Sequence, residues 1–119
     1  CVFKLGKNLK NDDHSQKMFI VTGILSMKNC SITAKGKTAV CVSHSLGTAS
    51  FTMKDTRITG SHAYLNNFFN EKEQLPLIDI ASGRANLISG TITCTDPERT
   101  VIDVGQRSVC TQGKNLIIR

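Results

Sequence analysis

Two aspartates stand in closely similar surroundings, Ile78-Asp79-Ile80 and Ile102-Asp103-Val104. In an extended strand alternate side chains face opposite sides, so the aliphatic neighbours point to a core and each carboxylate points outward. If the two strands are neighbours in register, the carboxylates stand about 5 Å apart, one above the other. Like charges at that spacing raise one pKa and hold a proton, which is what a general acid requires. The spacing also falls near that of paired glycosidase carboxylates. Asp79 and Asp103 are therefore the candidate catalytic residues. The competing reading is plain solubility: outward positions of a strand are expected to be polar. Asp96 and Glu98, in the turn at 95–99, either join this pair or are simple turn residues.

Cys41 occupies the same central position in Val40-Cys41-Val42, and His44 follows three residues later. A thiol becomes a nucleophile only with a base beside it. Cys-x-x-His is also half a zinc site, but no second pair has suitable spacing, so no metal and no cofactor is expected. Cys30, Cys94 and Cys110 suit inner or corner positions as small apolar groups. Asn29-Cys30-Ser31 matches a glycosylation acceptor, although Asn29 is equally a corner residue. Binding chemistry concentrates elsewhere. Tyr64, Leu65, Phe68 and Phe69 gather large apolar side chains, including the chain's one tyrosine, within a short segment. Exposed, they make a contact patch for a partner; otherwise they pack back on the body of the protein.

The elements that must position these residues are short and repeated. Ser26-Met27-Lys28-Asn29-Cys30-Ser31-Ile32-Thr33 is echoed by Thr52-Met53-Lys54-Asp55-Thr56-Arg57-Ile58-Thr59. A third copy runs over 86–94 and a degenerate fourth over 111–118. Ile32, Ile58, Ile92 and Ile117 are then 26, 34 and 25 residues apart. A second series has centres at Ile20, Cys41, Asp79 and Asp103, at intervals of 21, 38 and 24. The long interval in each series encloses the same segment. Removing about 10 to 14 residues there restores a period near 24, as expected for an insertion in a repeat array. Each period holds about three short strands. The dipeptides Lys28-Asn29, Lys54-Asp55 and Ser89-Gly90 fall between two of them, where a sharp corner needs residues that tolerate positive φ. Helical periodicity is hard to find. The insertion, residues 65–75, is expected to be a loop or short helix, ended by Pro76.

With 119 residues the chain is expected to be one domain, 1–119, large enough for a core. It opens at Cys1 without an initiator Met and ends inside an apolar run, so it is expected to be a fragment of a longer chain. No apolar run approaches the roughly 18 residues of a membrane span, and no membrane partner is expected. Five cysteines cannot all pair within the chain. That leaves the compartment open between a reducing one and a virion or secreted setting that does not depend on disulfides. The net charge of +6 is scattered along the sequence, with one Tyr, five Phe and no Trp to stack bases, so nucleic acid is not the expected partner.

The Met-Lys-Asn/Asp-x-x-Ile-Thr corners and the Ile-Asp-Ile/Val strands, over residues 18 to 119, resemble the right-handed parallel β-helix superfold of pectate lyases and phage tailspikes. The resemblance implies an all-β solenoid of about four coils, each stacked on the last. A β-trefoil or a sandwich is the structural alternative, and the repeat is short for a trefoil. Two functions follow from the resemblance. One is a non-catalytic binding or scaffold domain recognising a protein or glycan through its strand faces and the 61–76 insertion. The other is a glycan-cleaving module, hydrolase or lyase, with Asp79 and Asp103 as its acids. Exposed solenoid ends imply homo-oligomers or flanking domains that cover them.

Overall fold

The structure, a computed structural model, describes residues 2–4, 17–34, 37–44, 46–61, 64–66, 72–96 and 99–119; for 2–4, 64–66 and 72–74 only the backbone is described. Every regular element among the described residues is a strand. They are β1 (Val2–Lys4), β2 (Lys17–Val21), β3 (Ile24–Lys28), β4 (Ser31–Ala34), β5 (Thr38–Ser43), β6 (Ser50–Lys54) and β7 (Thr56–Gly60). Then follow β8 (Tyr64–Asn66), β9 (Lys72–Gln74), β10 (Ile78–Ser82), β11 (Arg84–Cys94), β12 (Ile102–Val104) and β13 (Val109–Ile118).

Two sheets are wholly parallel. One has the order β12-β10-β5-β2. The other runs β1-β4-β7-β11-β6-β3, with β13 also paired to β11. Parallel neighbours in the first sheet lie 21 to 38 residues apart in sequence, because the chain visits the second sheet between them. This ordering is consistent with a parallel β-solenoid.

The repeats read from the sequence are the registers of these sheets. Met27 pairs with Met53, and Lys28 with Lys54. Ile32 pairs with Ile58, and Ile58 with Ile92. Ile20, Cys41, Asp79 and Asp103 form one continuous row. The inward residues stack by type. Leu25, Phe51, Ala85 and Cys110 are successive partners, as are Phe19, Val40, Ile78 and Ile102. Most of these join a single apolar core containing Phe51, Met53, Ile58, Leu77, Ile78, Ile80, Leu87 and Ile92. Each such side chain contributes about 1.5–3 kcal/mol on burial, so the like-on-like stacking is the main cause of the registers.

The first two corners are where the sequence placed them, and the third is shifted by one residue. Among the described residues, Asn29 and Asp55 are the non-glycine ones with positive φ, at 56° and 50°. In the next repeat Ser89 stands at the place of Asp55, and the positive φ falls one position later, at Gly90 (124°), whose partner is Thr56. A Cβ there would stand 2.0 Å from the Thr56 carbonyl oxygen, so the close coil-to-coil approach demands glycine. The strand nevertheless stays hydrogen-bonded through Gly90, so β11 is one strand of 11 residues rather than two.

Two expectations are corrected. The insertion is not helical where it is described: β8 and β9 pair antiparallel, with Leu65 opposite Glu73. The weak helix formers Asn66, Asn67 and Asn70 interrupt the pattern that Phe68-Phe69 and Glu71-Lys72-Glu73 suggest. In the fourth repeat Ile118, not Ile117, lies opposite Ile92. The register slips between Leu87 and Ser89, where β13 has one residue more, and Gly113 lies against the Ile88 carbonyl.

Candidate functional site

The four-strand sheet carries the candidate carboxylates on its outer side. On β10, Ile78 and Ile80 are fully buried and Asp79 between them is partly exposed. On β12, Asp103 is exposed. The two are direct partners across the parallel pair. The arrangement read from the Ile-Asp-Ile/Val pattern is thus present. Burial raises the Asp79 pKa, the Asp103 charge raises it further, and the Lys17 ammonium opposes both. Asp79 therefore holds its proton to higher pH than an ordinary carboxyl.

Cys41 is the neighbour on the other side of Asp79, with Sγ 4.0 Å from Asp79 Oδ2. Its position in the row put it outside, yet it is only 1% exposed. Burial raises the thiol pKa, the Lys17 charge works against that, and Asp79 adds to it. A buried thiol whose proton points toward a carboxylate is a poor nucleophile. His44 does not assist it. Three positions along a strand is the opposite face, and His44 Nδ1 accepts the Leu46 N–H at 3.2 Å. Thr48 Oγ1 lies at 3.2 Å from the same nitrogen. His44 holds the turn after β5; it is not a base for Cys41. Among the described residues no group of three or more His, Cys, Asp or Glu could hold a metal ion. Cys30 is buried in the core, and Cys94 and Cys110 pack against it, all as free thiols. Asp96 and Arg99 close the turn after β11 through the Arg99 N–H to Asp96 O bond, so Asp96 has a turn role; Glu98 lies outside the described residues.

The apolar candidates stand apart from the carboxylates in chain position. The backbones of Tyr64 and Leu65 are in β8, paired with Gln74 and Glu73. Phe68 and Phe69 lie outside the described residues.

Arg99 was not visible as a special residue in the sequence. It is 4% exposed, and its guanidinium donates to four backbone carbonyls. Nε reaches Leu75 O at 2.8 Å, and Nη1 reaches Ser61 O. Nη2 reaches Lys37 O at 2.7 Å and Pro76 O at 3.3 Å. One planar fork thus ties both feet of the insertion to each other and to the start of β5. Burial lowers the Arg99 pKa from its ordinary value, and the carbonyls supply the acceptors the charge needs. The signal was unreadable because all four acceptors are backbone atoms.

Part of the positive charge lies on the seven-stranded sheet, apart from Lys17, which stands in the sheet of the aspartates. On the outer side of β3, β6 and β11, Lys28, Lys54 and Arg84 are exposed. The aspartate pair lies on the other sheet. No protein-family model, curated protein or solved structure matches this chain.

Proposed function

We propose that this chain is a binding or scaffolding module, built as a right-handed parallel β-helix of about four coils. It recognises a partner through its outward strand faces and the 61–76 insertion. The observation that carries this reading is the in-register parallel stacking, which sets outward side chains in straight rows on rigid faces. Arg99 supports it by fixing the feet of the insertion. Rigid presentation lowers the ordering cost of binding. Its ends suit homo-oligomers or flanking domains. The test is binding of the full chain to immobilised peptide and glycan arrays. Phe68→Ser/Phe69→Ser should reduce the signal, while Asp79→Asn and Asp103→Asn should leave it unchanged. A signal indifferent to the phenylalanines removes the insertion from the reading.

A second reading is favoured by one observation, the Asp79–Asp103 partnership with its raised Asp79 pKa. In it the chain cleaves glycans, with Asp79 as proton donor and Asp103 as the second carboxylate. Incubation with a panel of polysaccharides should then release new reducing ends, and Asp79→Asn should abolish release without lowering the melting temperature. Release that persists in Asp79→Asn and Asp103→Asn rules this reading out.

A further inference from the structure

The +6 charge looked scattered along the sequence, but the fold gathers part of it on one surface. The outward positions of β3 are Ile24, Ser26 and Lys28; those of β6 are Ser50, Thr52 and Lys54. Those of β11's first half are Arg84, Asn86 and Ile88, and β13 adds Val109 and Thr111. The registers align them in rows: Ile24, Ser50, Arg84 and Val109 in one, Ser26, Thr52, Asn86 and Thr111 in the next. Lys28 and Lys54 are direct partners in the third. Lys114 is exposed further along β13. No carboxylate occupies any of these positions. Asp55, at the corner after Lys54, has its Oδ1 bonded by Ser89 Oγ at 2.9 Å.

Two physical facts bear on what this face takes. Stacked cations without carboxylates among them repel one another, and an anionic partner relieves that repulsion. The face is also partly aliphatic, with Ile24 86% and Val109 55% exposed at its two ends and Ile88 between. None of its positions is aromatic. Bases stack on aromatic rings, so a nucleic acid gains charge contacts here and nothing from Ile24 or Val109. Membrane-surface binding draws on deeper Trp, Phe and Leu anchors than this face offers. Carboxylates interspersed with apolar side chains match both features, and a protein surface carries that combination.

We propose that the outer face of β3, β6, β11 and β13 is a docking surface for an acidic protein segment that also bears apolar side chains. This rests on the binding-module reading and names the partner class and the face.

The test uses the full chain and defined probes: a glutamate–leucine copolymer, polyglutamate, heparin, duplex DNA and phosphatidylserine vesicles. The copolymer should bind most tightly, with affinity falling as salt is raised. Lys28→Glu/Lys54→Glu should weaken it by about tenfold or more, because reversed charges at a docking face repel an acidic partner. Ile24→Ser/Val109→Ser should weaken the copolymer by about threefold or more and leave polyglutamate unchanged. Lys28→Gln/Lys54→Gln, the milder change, covers the case in which charge reversal impairs folding, and each variant's melt is recorded. Tighter binding of heparin, DNA or vesicles than of the copolymer overturns the proposal. So does copolymer binding that survives both lysine variants. Array binding that survives them while still depending on Phe68 and Phe69 overturns this face and leaves the module reading standing. No array binding together with glycan cleavage removes the module reading itself.

Discussion

The proton on Asp79 is governed first by burial, then by the Asp103 charge on the neighbouring strand, with the Lys17 charge opposing both. The folded pKa of Asp79 is raised, so the native state holds the proton more firmly than the unfolded chain. That contribution is complete below the ordinary carboxylate range, about 4, and is lost as pH rises through the folded pKa. Asp79→Asn should therefore raise the melting temperature at neutral pH, with the gain shrinking as pH falls. Thermal melts across pH 3 to about 8 check this, and a gain that grows toward acid would contradict it. Arg99 is the opposite case, a buried charge that its partners hold in place. Arg99→Ala takes a donor from four carbonyls, of which Pro76 O keeps Thr38 Oγ1 at 2.8 Å, and should destabilise by about 3 kcal/mol or more in denaturant melts. Arg99→Lys keeps the charge and loses the fork, so it should recover only part of that. The two aspartates were legible in the sequence because an aliphatic on each side fixes the direction of the middle residue. Arg99 was not, since nothing in Pro-Glu-Arg-Thr distinguishes a clamp from a turn.

At the scale of the element, the corners show local chemistry and packing agreeing. Asn29 and Asp55 tolerate positive φ, and Asp55 is further held by Ser89, whose Oγ lies 2.9 Å from both its N and its Oδ1. Asn29→Val should cost about 1–2 kcal/mol in backbone strain, and Asn29→Gly should escape that strain, by chemical denaturation. Gly90→Ala combines a strained φ with a clash against Thr56 backbone, and should destabilise by about 3 kcal/mol or more. The first two corners were legible because Asn and Asp at matching places in the Met-Lys repeat have one common conformational use. The slip to Ile118 was not. A bulge at Gly113 leaves the apolar pattern intact and moves it by one residue, and Ile117 and Ile118 are adjacent and identical. The burial of Cys41 was also beyond the pattern, which gives a side chain's direction and not what covers it. The insertion was expected to be a loop or short helix, since its glutamates and lysine favour a helix; the pairing of its ends, with residues 6 to 10 positions away, was not legible.

For the whole molecule, each strand row depends on the rows above and below it. Ile58 lies between Ile32 and Ile92 and is fully buried, whereas Ile118 has one neighbouring row and is 43% exposed. Ile58→Ala should cost about 2–5 kcal/mol and Ile118→Ala well under half of that, measured by denaturant unfolding. Amides of β12 and β13 should exchange with solvent before those of β6 and β7, a direct reading of this end-to-middle gradient. The guanidinium of Arg99 has a consequence at this scale too. It joins Ser61 to Leu75 and Pro76 without using the backbone between them. The strands before that segment pair with those after it: β5 with β10, and β6 and β7 with β11. A peptide bond cut between 66 and 72 would thus remove continuity and no sheet pairing outside the β8–β9 ribbon. The two pieces should stay associated, and fragments expressed separately should find one another and reassemble, making this the natural point at which to divide the protein into complementing halves.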